Sequence, residues 1–215
     1  MNKIEVRNLT KEFKSYTALK NINHTFVSGK IYALVGRNGS GKSVLLKCIS
    51  GLLKASKGEV LFNGLQVGKD IDFIYNAGIL IDGPGLLLDY SAYKNLKYIS
   101  SINNIIDDNR IREILKEVSL DPDLKKPVKT YSMGMKQKLA IAMALLEEPD
   151  IIFLDEIFNG LDDKSVEKIR EIVKNYKNED RIIFITSHNK DDISYLADEI
   201  IRLDRGEIKE VIENV

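Results

Sequence analysis

Apolar and polar residues follow two rhythms along this chain. Three short runs, IYALV (Ile31–Val35), IIFL (Ile151–Leu154) and IIFIT (Ile182–Thr186), are apolar almost throughout, as expected of strands buried on both faces. Elsewhere apolar residues recur at three- and four-residue spacing, which predicts helices with one buried face. The sets are Leu45, Cys48, Ile49 and Leu52; Ile111, Ile114, Leu115 and Val118; Met135, Leu139, Ala142, Met143 and Leu146; and Val166, Ile169, Ile172, Val173 and Tyr176. Alternating strands and helices predict an α/β protein with a mainly parallel sheet. Two stretches depart from that rhythm. Residues 1–30 contain KIEVRNL and INHTFV, read as short antiparallel strands of an N-terminal antiparallel β-subdomain. From Asp82 to Leu146 the pattern is mostly helical, and Pro84, Pro122 and Pro127 punctuate it as loop residues between helices. The expected organisation is one domain: a core of residues 1–81 and 147–215 with an inserted helical subdomain at 82–146. RLDRGEIKEV predicts a hairpin turning at Arg205–Gly206.

Composition narrows the possibilities. The 215 residues include 32 Lys+Arg and 32 Asp+Glu, a net charge of zero. That argues against a broad nucleic-acid surface, and no nucleic-acid partner is expected. Cys48 is the single cysteine, so no intramolecular disulfide forms, and a buried thiol in a reducing compartment is expected. The start, MNKIEVRNLTKEF, is charged, with no apolar signal segment. No apolar run approaches the roughly 20 residues of a membrane span. The expectation is a soluble, cytoplasmic protein that needs a partner to act at a membrane.

The candidate chemistry sits at strand ends. GRNGSGKS (Gly36, Arg37, Asn38, Gly39, Ser40, Gly41, Lys42, Ser43) fits G-x-x-x-x-G-K-[ST] between an apolar strand and a helical segment. Its glycines let backbone N–H groups turn toward phosphate oxygens, and the helix N-terminus adds partial positive charge. Lys42 is expected to reach the β and γ phosphates, and Ser43 to ligate Mg²⁺. IIFLDE ends a buried strand in Asp155 and Glu156, at the sheet edge where ligands bind. Asp155 is expected to hold Mg²⁺ through a water, and Glu156 to polarise an attacking water. An ordinary glycine-rich turn and a pair of capping acids are the plainer alternatives. His188 follows another buried strand, either as a surface or satisfied core histidine or as a contact to the γ-phosphate. Ser132 and Gly134 precede a helix, either as a plain N-cap or as a second anion site.

YSMGMKQK resembles the LSGGQ signature sequence of ATP-binding cassette transporter subunits. GRNGSGKS matches that family's Walker A, IIFLDE its Walker B, NGLD (Asn159–Asp162) its D-loop and His188 its switch histidine, in the same order. The resemblance spans nearly the whole chain and implies a P-loop NTPase (RecA-like) core that binds and hydrolyses ATP with Mg²⁺. It also implies a head-to-tail homodimer in which Ser132 and Gly134 close on ATP held by the opposite subunit, an isologous arrangement. Met133 and Met135 replace a glycine and the glutamine of the usual signature. YSMGM is similar to a subgroup exporting drugs, bacteriocins and other antimicrobial compounds with a separate integral-membrane permease, which would place the chain peripherally on the inner face of the cell membrane. Ile157 stands where proline is common, with little consequence expected. Asp82 occupies the Q-loop glutamine position, where a carboxylate near the γ-phosphate would need Mg²⁺, so Asp82 joins Ser43 and Asp155 as an expected metal contact. Phe13, with Tyr16 nearby, takes the adenine-stacking position, unless it packs into its own sheet. Leu86, Leu87, Leu88, Tyr90 and Tyr93 are the expected docking residues for the permease. A P-loop kinase of small substrates and a non-transport cassette ATPase are the competing readings.

Overall fold

The three all-apolar runs lie side by side in the middle of a six-stranded sheet. A computed structural model describes residues 1–83, 85–103 and 105–214; Pro84, one of the expected loop prolines, falls outside them. The chain begins with β1 (Lys3–Phe13), β2 (Tyr16–Val27), β3 (Lys30–Val35), α1 (Lys42–Ser50), β4 (Lys57–Phe62), β5 (Leu65–Gln66) and β6 (Ala77–Leu80). It continues with α2 (Ala92–Asn103), α3 (Asp108–Glu117), a short 3-10 turn (Val128–Thr130) and α4 (Met133–Leu145). It ends with β7 (Ile151–Leu154), α5 (Asp163–Tyr176), β8 (Ile182–Thr186), α6 (Lys190–Leu196), β9 (Glu199–Asp204) and β10 (Glu207–Glu213). The large sheet has the order β10-β9-β3-β8-β7-β6. It is parallel except for β10, which folds back on β9 at Arg205–Gly206. The smaller sheet, β2-β1-β4-β5, is antiparallel.

Alternation along the central strands divides the interior in two. Ile31, Ala33, Ile152, Leu154, Ile183 and Ile185 face one core, shared with residues of α2, α3, α4 and α5. Tyr32, Leu34, Ile151, Phe153, Ile182 and Phe184 face the other, closed by α1 and the antiparallel sheet. In the second core Phe153 and Phe184 stack at 4.9 Å, and Phe26 meets Phe184 edge-on at 4.8 Å. Cys48 is buried there, and loss of solvation pushes its thiol up to about 11.

Several boundaries differ from expectation for visible reasons. The N-terminal strands are 11 and 12 residues long rather than short. Asn8 and Asn21, both with φ 50, break the alternation at bulges without ending the pairing. Gly51, with φ 92, ends α1, so Leu52 lies beyond the helix and is 51% exposed rather than on its buried face. α4 is apolar nearly all round because it packs on β6 and β7 on one side and on α2 and α3 on the other. It approaches Gly78 of β6 closely, and an added Cβ there would lie 1.9 Å from the Ala144 carbonyl oxygen.

Candidate nucleotide and metal site

The loop between β3 and α1 is shaped by its glycines. A Cβ on Gly36 would come within 2.2 Å of the Leu203 carbonyl oxygen, and one on Gly41 within 2.9 Å of the Ala18 carbonyl oxygen. Gly41, in the left-handed region at φ 109, caps α1, and the Leu45 amide donates to its carbonyl at 2.8 Å to close the first turn. The helix therefore starts with its free N–H groups at the loop. Lys42 is only 6% exposed. Its Nζ curls back over the loop and donates to the carbonyls of Gly36 at 2.9 Å and Arg37 at 3.3 Å.

Across from this loop, the end of β7 turns sharply. Asp155 is 8% exposed. The Thr186 hydroxyl, on adjacent β8, donates to Asp155 Oδ1 at 2.6 Å and accepts from the Glu156 amide at 2.8 Å. Glu156 takes a left-handed conformation, φ 52, which turns its side chain away from the strand direction. Asn159 Nδ2 donates to Glu156 Oε2 at 2.8 Å, and His188 Nε2 lies 3.1 Å from Oε1. Gln137 of α4 donates to the carbonyls of Glu156 and Ile157 at 3.3 and 3.1 Å. Ser43, Asp82, Gln137, Asp155, Glu156 and Asn159 line one cavity of about 400 Å³. Sequence reasoning missed Thr186, Gln137 and the partner of Asp82. That partner is Lys47 of α1, whose ammonium pairs with the Asp82 carboxylate.

The donors fit a Mg²⁺ ion. Among the described residues no three His, Cys, Asp or Glu side chains converge on one point. The cavity instead offers the Ser43 hydroxyl and the Asp155 carboxylate, a small hard-oxygen set of the kind Mg²⁺ completes with water and substrate phosphate.

The remaining expected residues lie elsewhere. Ser132 caps α4, its Oγ accepting from the Met135 amide at 3.2 Å. Gly134 packs so tightly on the Asn159–Asp162 segment that a Cβ would sit 2.9 Å from the Gly160 carbonyl oxygen. Met133 also packs on Gly160, where an added Cβ would lie 2.6 Å from its Sδ, and is 70% exposed. Among the described residues lining the Ser43 cavity, neither Ser132 nor Gly134 appears. Phe13 and Tyr16 face each other across the β1–β2 turn, stacked at 5.3 Å and partly exposed, with Lys11 Nζ 5.0 Å from the Phe13 ring centre. Leu86 and Tyr93 pack against the core, whereas Leu87, Leu88 and Tyr90 are exposed. Leu87 and Tyr90 join Lys94, Lys97 and Tyr98 in a groove of about 530 Å³. No helix among the described residues is long and apolar enough to cross a membrane.

Comparison with known proteins identifies the family. The family model described as ABC transporter matches residues 19–159. The ABC transporter ATP-binding protein YybJ of Bacillus subtilis (strain 168) is 42% identical over 96% of this chain and 94% of its own length. The lantibiotic transport ATP-binding protein SrtF of Streptococcus pyogenes is 36% identical over 95% of this chain and 88% of its own. The solved dimeric post-hydrolysis structure of the ATP-binding cassette MJ0796, bound to ADP and Pi, superposes with a TM-score of 0.88 at 25% identity, covering 99% of both chains. With a glycine loop at a helix start, two acids across from it and a family match over most of its length, the chain belongs to the ABC transporter family and is one of its ATP-binding, ATP-hydrolysing subunits.

Proposed function

We propose that this chain powers an exporter of antimicrobial peptides or similar compounds through an integral-membrane permease, by closing as a homodimer on two ATP molecules. The observation that carries the catalytic part is the placement of Glu156. Its two carboxylate oxygens are held by Asn159 and His188, and it lines the same cavity as Ser43.

In this reading the phosphates lie in the loop Gly36–Ser43, with loop and helix N–H groups donating to their oxygens. Lys42 exchanges its loop carbonyls for the β and γ phosphates. Phe13 and Tyr16 stack on the base, which gives little discrimination between ATP and GTP because neither reads a base edge. Ser43 and Asp155 would hold Mg²⁺, with Asp82 joining them. Bound there, the ion would neutralise charge on the phosphate oxygens. Glu156 orients the attacking water and accepts its proton, and His188 donates a hydrogen bond to the γ-phosphate. Ser132 and Gly134, which are not among the described residues lining the Ser43 cavity, close on the γ-phosphate held by the second copy. Loss of that phosphate removes the charge both copies hold, and the dimer opens.

The exporter assignment rests on YSMGM and on the transport names of relatives such as SrtF. The permease would bind the exposed side chains of Leu87, Leu88 and Tyr90 on the 82–146 region, with Leu86 and Tyr93 supporting them from the core edge, and so hold the chain on the inner face of the membrane.

Replacing Glu156 with Gln tests the catalytic assignment. Hydrolysis is expected to fall by roughly a hundredfold or more while ATP binding is retained. Near-normal release of phosphate by Glu156→Gln would remove Glu156 from the reaction.

A further inference from the structure

Behind His188 lies a buried charged cluster. Asp192, on α6, is 1% exposed. Its Oδ1 accepts from Arg170 Nε at 2.9 Å and from Arg170 Nη2, and its Oδ2 accepts from the Ser187 hydroxyl at 2.6 Å. Arg170 belongs to α5, and its guanidinium lies over the Tyr195 ring at 5.8 Å. The Ser187 hydroxyl also accepts from the Asn189 amide at 3.1 Å. One hydroxyl, aimed by a buried carboxylate, therefore grips the chain on both sides of His188. The imidazole itself is 45% exposed and has Glu156 beside it.

A buried ion pair is a poor way to gain stability, because desolvating the two charges consumes most of their attraction. Joining α5 to α6 accounts for Arg170 and Asp192 but leaves the Ser187 contact unexplained. A hydroxyl donating to a carboxylate is short and directional, which suits fixing a loop rather than merely covering a helix. The other end of α5 matters equally. Its N-cap, Asp162, closes the segment that begins with Asn159. Both residues gripping Glu156 are thus attached to α5: Asn159 through the chain, and His188 through Ser187, Asp192 and Arg170.

We infer that Asp192 and Ser187 are positioning residues that hold His188 in register with Glu156 and link it to α5. The catalytic consequence rests on the proposed role of His188 at the γ-phosphate; the positioning itself does not.

The chain has two histidines, His24 and His188, so imidazole NMR spectra of the whole protein contain two sets of signals, assigned with His188→Ala. Ser187→Ala and Asp192→Asn are each expected to displace the His188 signals and leave those of His24 in place. Each is also expected to lower kcat by about tenfold with ATP affinity held within about twofold, the split expected of lost geometry rather than lost binding. In a His188→Ala background neither change is expected to lower kcat further, because both act through His188. Ser187→Ala removes a single hydroxyl and carries the test if Asp192→Asn does not fold. Unmoved His188 signals, or an equal loss of kcat with and without His188, would overturn the positioning role. Full activity of His188→Ala would overturn the γ-phosphate contact instead, while displaced signals would still support the positioning.

Discussion

Three carboxylates line one cavity, and each has different company. Asp155 has the Thr186 hydroxyl, Glu156 has Asn159 and His188, and Asp82 has Lys47. The last pair changes the argument about the Q-loop position. Two like charges about 4 Å apart repel by about 4 kcal/mol at an effective dielectric near 20, and by less where solvent screens them. Lys47 offsets part of that cost beside a phosphate, and a metal ion would offset more. Asp82→Asn is therefore expected to raise the Mg²⁺ concentration needed for half-maximal ATPase activity by a few-fold. An unchanged metal titration would exclude Asp82 from the metal's surroundings. Ser43, Asp155 and Glu156 were legible in the sequence because each stands at a fixed offset from a strand end. Thr186 and Lys47 were not, because their partners lie 31 and 35 residues away, and only the sheet order and the seating of α1 bring them together.

At the scale of elements, legibility followed burial. β7 and β8, sealed on both faces, match the apolar runs IIFL and IIFIT residue for residue. The edge strand β6 carries no clear pattern because AGIL is four residues long and includes a glycine. That glycine is there because α4 leaves no room for a side chain. Gly78→Ala would set a methyl group 1.9 Å from the Ala144 carbonyl oxygen, so α4 or β6 must shift. A loss of about 1–3 kcal/mol is expected, read as a lower midpoint in thermal unfolding. A midpoint equal to that of the parent protein would contradict the close packing. α6 is also hidden from the sequence pattern: its seven residues include Asp191 and Asp192, and the burial of Asp192 depends on Arg170, which no local pattern reveals.

For the whole molecule, the decisive feature is that one copy holds only part of the proposed site. The cavity lined by Ser43 and Glu156 does not include Ser132 or Gly134 among its described residues, while the solved relative with a TM-score of 0.88 is a dimer bound to ADP and Pi. Nothing in hydrophobic periodicity points to a second copy. That part of the account came from the resemblance of YSMGMKQK to a family signature. The most direct measurement is the sedimentation of Glu156→Gln with and without Mg²⁺ and ATP. The account predicts a monomer without nucleotide, a dimer with ATP, and a monomer again when Gly134→Asp is added. A Glu156→Gln protein that binds ATP yet stays monomeric at every nucleotide and protein concentration would contradict it.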